Sequence, residues 1–480
     1  MDRARQMLRS GDWLTLERVR LVAAAVLIAS TLGFLFLIVT AHGVIDRQGR
    51  PLGTDFSNVY AAGTFLRDGN PEAPFDPPQQ YAREQSLFGA ATPFYGWHYP
   101  PYFLFVAGAL AKMPYGLALA VWQASTLALY LLMIWGIVAP SFRGAQSANP
   151  ESITPVEPEG KNNQNRQALW IPDSRRVCHR VGDFVPDPLA ASGMTRLWLL
   201  LALAFPVVLI NIGHGQNGFL TAALLGGALV LLDRRPLVAG ILFGLLIYKP
   251  QFGIMIPLVL LATFRWRTFA AAVATVAVLT LVTTAAFGPH VWHAFMLSTE
   301  FSRRVVLEQG DTGWYKIQSV FSWARMWGAS IPLAYALQAA VTVSIGAALI
   351  WLWRGPASAS LKAAALCLAT ILATPYTLDY DLMVLAPAIA FFAADGIARG
   401  FRPWEKTALA ALWLVPLVAR GAAEATLIPL GVPAMLAMLV VVMRRAGLRQ
   451  AAPMAFAAAS STISRGTGGP PGGHDIAAFK

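Results

Sequence analysis

The chain has 480 residues, of which 56% are hydrophobic and only 13% charged, and it carries a formal net charge of +12. This balance excludes an ordinary soluble domain, because apolar runs recur along nearly the whole length and call for lipid rather than water. The basic excess does not point to nucleic acid either, since Lys and Arg gather at the ends of apolar runs, where they set orientation in a membrane. Cys178 lies in a polar insert and Cys367 in an apolar segment, so neither a disulfide nor a cysteine metal site is expected.

Taken in chain order, a basic tail (1–20) with Arg3, Arg5, Arg9, Arg18 and Arg20 leads into an apolar run from Leu21 to Ala41. That run exceeds the ~7–15 apolar residues of a secretory signal, so it reads as a retained first span. A loop over 42–114 follows. Further spans are predicted over 115–139, 195–212, 217–232, 236–248, 252–264, 268–287, 332–353, 359–374, 381–396, 404–420 and 425–443. The whole reads as an all-α polytopic membrane protein with about twelve transmembrane helices in one domain (21–445). Lys249-Pro250-Gln251 separates two half-length helices, and Pro250 removes a backbone donor at the break. The segment 98–112 is apolar but short between its prolines and reads as an interfacial or re-entrant helix in the first outer loop. The insert 140–194, rich in Pro, Asn and Glu, reads as a mobile cytoplasmic loop, and the Gly/Pro-rich tail (446–480) as disordered. No internal repeat is visible.

Orientation follows from the basic residues. With both tails in the cytoplasm, most Lys and Arg fall on the cytoplasmic side. That arrangement brings the loop 42–114, the turn 214–217, the break 248–251 and the loops 288–331 and 374–381 to the outer face.

Several residues there can carry chemistry. Asp55, in Gly53-Thr54-Asp55-Phe56, can accept a proton from a hydroxyl nucleophile, or it can cap the helical pattern that begins at Phe56. Lys249 at the helix break suits a phosphate partner, or it snorkels to the interface. Gln216 and Asn217 are amides beside glycines that line a sugar site or close a helix hairpin. Arg303 and Arg304 either clamp a phosphate or lie on a solvated loop face. Asp379, Tyr380 and Asp381 put two acids at a membrane edge, and Asp381 can also cap the next helix. His98, His214, His290 and His293 show no firm ligand spacing, so no metal is assigned.

In order along the chain, Asp55, Tyr99-Pro100-Pro101, Trp122, Gly215-Gln216-x-Gly218, Lys249-Pro250 and Thr374-Pro375-Tyr376 with Tyr380-Asp381 resemble glycosyltransferase family 87 of the GT-C superfamily. The resemblance covers roughly residues 20–445 and implies a GT-C-like helical bundle with an active site facing the periplasm or cell exterior. It implies Asp55 as the catalytic acid–base residue, with Tyr99, Gln216, Lys249, Tyr380 and Asp381 around the substrate; the residues themselves add His98, Asn217, Arg303 and Arg304 as substrate-binding candidates. Mannosyltransferases of the family can carry histidine where this chain has Asp379-Tyr380-Asp381, so sugar and acceptor do not transfer. The expected activity moves a sugar from a polyprenyl-phosphate carrier to a lipid or glycan hydroxyl at the cytoplasmic (inner) membrane, with inversion and without a cofactor or nucleic-acid partner. The rival reading is a secondary transporter or lipid flippase, which suits broken helices but predicts related halves and charges near the bilayer midplane.

Overall fold

A computed structural model describes residues 2–146 and 188–464. Most of the expected mobile insert (147–187) and the end of the expected disordered tail (465–480) lie outside the described residues. Helices run into both segments, since Tyr115–Gln146 and Pro188–Leu203 flank the insert and Gly431–Ser464 carries into the tail. Every regular element among the described residues is helical, as the composition requires; only isolated β-bridges interrupt that pattern.

Among the described residues, six helices are long and apolar enough to cross a membrane: Leu16–Val39, Tyr115–Ala139, Trp266–Phe287, Ile331–Arg354, Asp379–Arg399 and Glu405–Thr426. A seventh crossing results if Arg196–Leu203 and Pro206–His214, bent by 51° at Pro206, count as one. The expectation of about twelve spans depends on counting the shorter apolar helices Gly218–Leu231, Pro236–Tyr248, Pro250–Ala262 and Ala359–Leu372 as crossings. Ala359–Leu372 is packed by protein, buried from Leu361 onward save for Lys362 and next to Asp379–Arg399, whereas Pro236–Tyr248 leaves Leu237, Val238 and Ile241 exposed. Leu16–Val39 and Trp266–Phe287 have few fully buried residues, and exposed side chains such as Leu32, Val39, Val278 and Leu281 give them the pattern of helices with a lipid-facing side.

The helix break at Lys249 is present. Pro236–Leu245 tightens into a 3₁₀ turn over Leu246–Tyr248, and a second 3₁₀ turn, Pro250–Gly253, precedes Met255–Ala262. The segment after Tyr99 forms a short helix, Pro101–Leu110, too short to span.

Pro236–Leu245 packs against Trp266–Phe287 through small residues. A side chain at Gly240 would meet the Thr268 carbonyl oxygen at 2.4 Å and Ala271 Cβ at 2.6 Å, and one at Gly244 would meet Thr275 Cβ at 2.6 Å. The spacing Gly240-x-x-x-Gly244 is the small-residue stripe that lets membrane helices approach closely.

At the end remote from Lys249, Arg445 is buried and donates to Asp395 Oδ2 (2.7 Å) and Glu405 Oε2 (2.5 Å). Ser358 and Arg399 also bind Asp395. The helices Ala359–Leu372, Asp379–Arg399, Glu405–Thr426 and Gly431–Ser464 are thereby pinned together at one end, leaving the other end free to build a pocket.

Gly240→Val should lower stability by ~1–3 kcal/mol through overpacking, read as a lower melting temperature in detergent or nanodiscs. Gly253→Val, which meets no atom within 4 Å, serves as the control and should leave the melting temperature nearly unchanged.

Candidate functional site

A cavity of about 560 Å³ opens at the end opposite the Arg445 network. Its walls come from the first loop, the 214–217 turn, the 248–251 break, the 301–316 segment and the 376–380 loop, together with Arg420. These are the segments that the distribution of basic residues groups on one face.

Local backbone rules explain why they meet. Gly215 closes the helix Pro206–His214 in the left-handed region (φ 66°), and a side chain there would lie 2.5 Å from Phe56 Cβ and 3.3 Å from the Gly53 carbonyl oxygen. At Gly218 a side chain would strike Asn211 Oδ1 at 2.4 Å and the Tyr380 carbonyl oxygen at 2.8 Å. The two glycines thus let one turn touch the Asp55 loop on one side and the Tyr380 loop on the other, with Gln216 between them.

Asp55 stands at the N-cap position of Phe56–Arg67, yet its side chain makes no capping bond. Its Oδ2 accepts from Gln216 Nε2 at 2.6 Å, and its backbone N–H donates to the His214 carbonyl at 3.0 Å. Thr54 Oγ1 lies 2.7 Å from His214 Nδ1 and 3.5 Å from Asp55 Oδ1. Behind Gln216, Tyr99 donates to Gln216 Oε1 (3.3 Å) and accepts from Asn217 Nδ2 (2.8 Å).

Lys249 is buried and pairs with Asp381, buried likewise, at 2.5 Å. Asp381 also accepts from the Leu378 backbone N–H at 3.0 Å, so it closes its own loop as well as meeting Lys249. The ammonium lies 4.8 Å from the centre of the Tyr380 ring. An ammonium and a carboxylate removed from water are stable together and costly apart.

Of the residues singled out from sequence, Asp55, His98, Tyr99, Gln216, Lys249 and Tyr380 line the cavity. Asn217 and Asp381 stand behind its wall, holding Tyr99 and Lys249. Arg303 and Arg304 are exposed and lie outside the lining; both pair with Glu300, and Arg303 also with Glu308. Their helical segment, Ser302–Glu308, contributes Val305 and Val306 to the wall instead. His98 bonds Ser302 across the cavity, Nδ1 to Oγ at 2.8 Å.

Sequence reasoning passed over two cations of the lining, Arg50 and Arg420; a third, Lys316, comes from the outer loop 288–331. Arg420 lies in the last turns of the membrane-spanning helix Glu405–Thr426 and pairs with Asp379 at 3.4 Å. An arginine in such a helix is a functional signal in its own right. Arg420 and Lys316 both lie 5.8 Å from the centre of the Tyr315 ring.

The wall segment 93–96 is held from behind by Glu84. Its Oε2 accepts from the Tyr95 backbone N–H at 3.0 Å and its Oε1 from Gln80 at 3.2 Å. Burial pushes the Glu84 carboxyl up to about 7, and burial likewise pushes the Tyr95 phenol up to about 12.

With this geometry in view, comparison with known proteins gives one result: residues 97–375, more than half of the chain, match the family model described as Glycosyltransferase family 87, and the chain belongs to that family. No curated protein and no solved structure matches.

Lys249→Ala, which strands the Asp381 carboxylate, should cost about 3–5 kcal/mol, whereas the double replacement Lys249→Met with Asp381→Leu should recover most of that loss; thermal melting of the purified proteins checks both. Glu84 predicts a pH effect of opposite sign to that of a salt-bridged acid. Its folded-state pKa is raised, so the stability it contributes is complete below the ordinary carboxylate range and is lost as pH rises to about 7. Glu84→Gln should flatten the fall in melting temperature between about pH 4.5 and pH 7.

Proposed function

We propose that this member of glycosyltransferase family 87 transfers one sugar from a polyprenyl-phosphate carrier to the hydroxyl of a lipid or glycan acceptor, on the periplasmic or outer face of the cytoplasmic membrane. Family membership establishes a membrane glycosyltransferase. The carrier, the face, the GT-C-like arrangement of about twelve crossings and the roles below are the finer reading. The observation that carries it is a carboxylate held at the wall of a cavity rich in cations and amides, at one end of an apolar bundle.

In this reading the acceptor oxygen attacks the anomeric carbon from the side opposite the phosphate. The new C–O bond forms as the bond to the carrier phosphate breaks, and the phosphate leaves with the electron pair. The acceptor proton passes to Asp55, and the anomeric configuration inverts. A positioned carboxylate of this kind contributes ~10²–10⁴ in rate.

The leaving phosphate calls for positive charge that is not already spent. Lys249 lines the cavity, but Asp381 compensates its charge. Arg420 pairs with Asp379 only at 3.4 Å, and Lys316 stands beside the same Tyr315 ring. Arg420 and Lys316 therefore take the phosphate, with Lys249 adding to the local field. Arg303 and Arg304, at the surface, are left as secondary contacts for the carrier head group. The aromatic side chains Tyr99, Tyr248, Tyr376 and Tyr380 shape the sugar site.

The transporter reading draws on the same helix break, but it asks for charges at the bilayer midplane. The buried charges here gather at the two ends of the bundle, around Lys249 and around Arg445.

Asp55→Asn should abolish transfer in a proteoliposome assay with radiolabelled polyprenyl-phosphate sugars, while folding and melting temperature stay close to wild type. Near-normal turnover would remove Asp55 as the base. In the same assay Arg420→Gln should raise the apparent KM for the carrier about tenfold or more, against less than about threefold for Arg304→Gln; the reverse ranking would move the phosphate to the surface arginines.

A further inference from the structure

We propose that Gln216 is a positioning residue that holds the Asp55 carboxylate in its reactive orientation, rather than a group that binds sugar. This inference rests on the reading of Asp55 as the base. Three observations carry it.

The amide of Gln216 has only one orientation open to it. A carboxylate only accepts, so the atom 2.6 Å from Asp55 Oδ2 must be the NH₂ group. Gln216 Oε1 then faces backwards, where it accepts from the Asn217 backbone N–H at 3.3 Å and from the Tyr99 hydroxyl at 3.3 Å. Tyr99 is in turn held by Asn217 Nδ2 at 2.8 Å. Gln216, Asn217 and Tyr99 are all buried, so the chain is a rigid support.

The backbone of Asp55 leaves its carboxylate to Gln216. Asp55 stands just before Phe56–Arg67, but its backbone is helical (φ −77°, ψ −19°) rather than the extended form in which an aspartate caps its own first turn, and no capping bond is made. The Phe56 and Ser57 N–H groups donate to the Gly53 and Thr54 carbonyls instead. The one strong side-chain bond of Asp55 is the one from Gln216.

Finally, the support engages Oδ2 alone. Oδ1, with only the 3.5 Å approach of Thr54, is left for the acceptor hydroxyl. The base therefore receives its proton on Oδ1, on the side of Thr54 and His214.

Two variants test the inference in the reconstituted transfer assay. Gln216→Leu should lower kcat about 10- to 100-fold while both KM values change less than about threefold, the signature of an interaction realised in the transition state. Gln216→Glu keeps the shape but makes the donor titratable. It should remain active where the introduced carboxyl is protonated and lose kcat as pH rises, giving an alkaline limb that the wild-type amide lacks. This near-isosteric variant carries the test if the leucine variant folds poorly. A rise in KM at constant kcat would make Gln216 a substrate contact. A pH profile of Gln216→Glu that overlays wild type, with Asp55→Asn inactive, would overturn this inference alone. An active Asp55→Asn would instead overturn the base assignment beneath it.

Discussion

The cavity depends on one buried ion pair, Lys249 with Asp381. A helix break at one end of an apolar bundle exposes backbone groups and, in this sequence, delivers a buried ammonium. Asp381 answers the charge, and its other oxygen satisfies the Leu378 backbone N–H. The pair joins positions 132 residues apart. It thereby fixes the 376–380 loop against the helix break, and so fixes one wall of the cavity. Because each charge compensates the other, the unit is structural first; the other cations of the lining are Arg50, Lys316 and Arg420, the last paired with Asp379.

The bundle divides its work between its ends. Around Arg445 the polar groups are mutually satisfied and buried, and they tie four helices together. Around Asp55 the polar groups are satisfied from behind and left open in front. A fully paired network rigidifies, whereas a wall of partly paired donors and acceptors is available to a substrate. Apolar helices alone provide neither, which is why the buried ion pairs of this sparsely charged chain stand at these two places.

Much of this was legible in the sequence. The helix break could be read from Lys249-Pro250, the short segment after Tyr99 from its prolines, and the convergence of five loops from the placement of Lys and Arg. Asp55 was legible as a position, but its orientation was not. Sequence spacing offers either capping or catalysis, and in the fold the carboxylate makes no capping bond and instead accepts from Gln216, 161 residues away. Lys249 and Asp381 were each visible as an unusual charge, whereas their pairing is a tertiary fact. Arg420 was passed over because it closes an apolar run, where an arginine reads as an interfacial anchor. The arginines of 303–304 drew attention as a doublet, although the helix carrying them turns its valines to the cavity. Gly240-x-x-x-Gly244 was an available signal for close helix packing.

The proposed transfer requires that carrier phosphate and base meet in this one cavity, and a cryo-EM structure with a non-hydrolysable polyprenyl-phosphate sugar analogue tests that most directly. The expected result is density for the phosphate against Arg420 and Lys316, the anomeric carbon facing Asp55 Oδ1 and the polyprenyl tail leaving sideways into lipid. A phosphate bound at Arg303 and Arg304, or a sugar lodged away from Asp55, would contradict it.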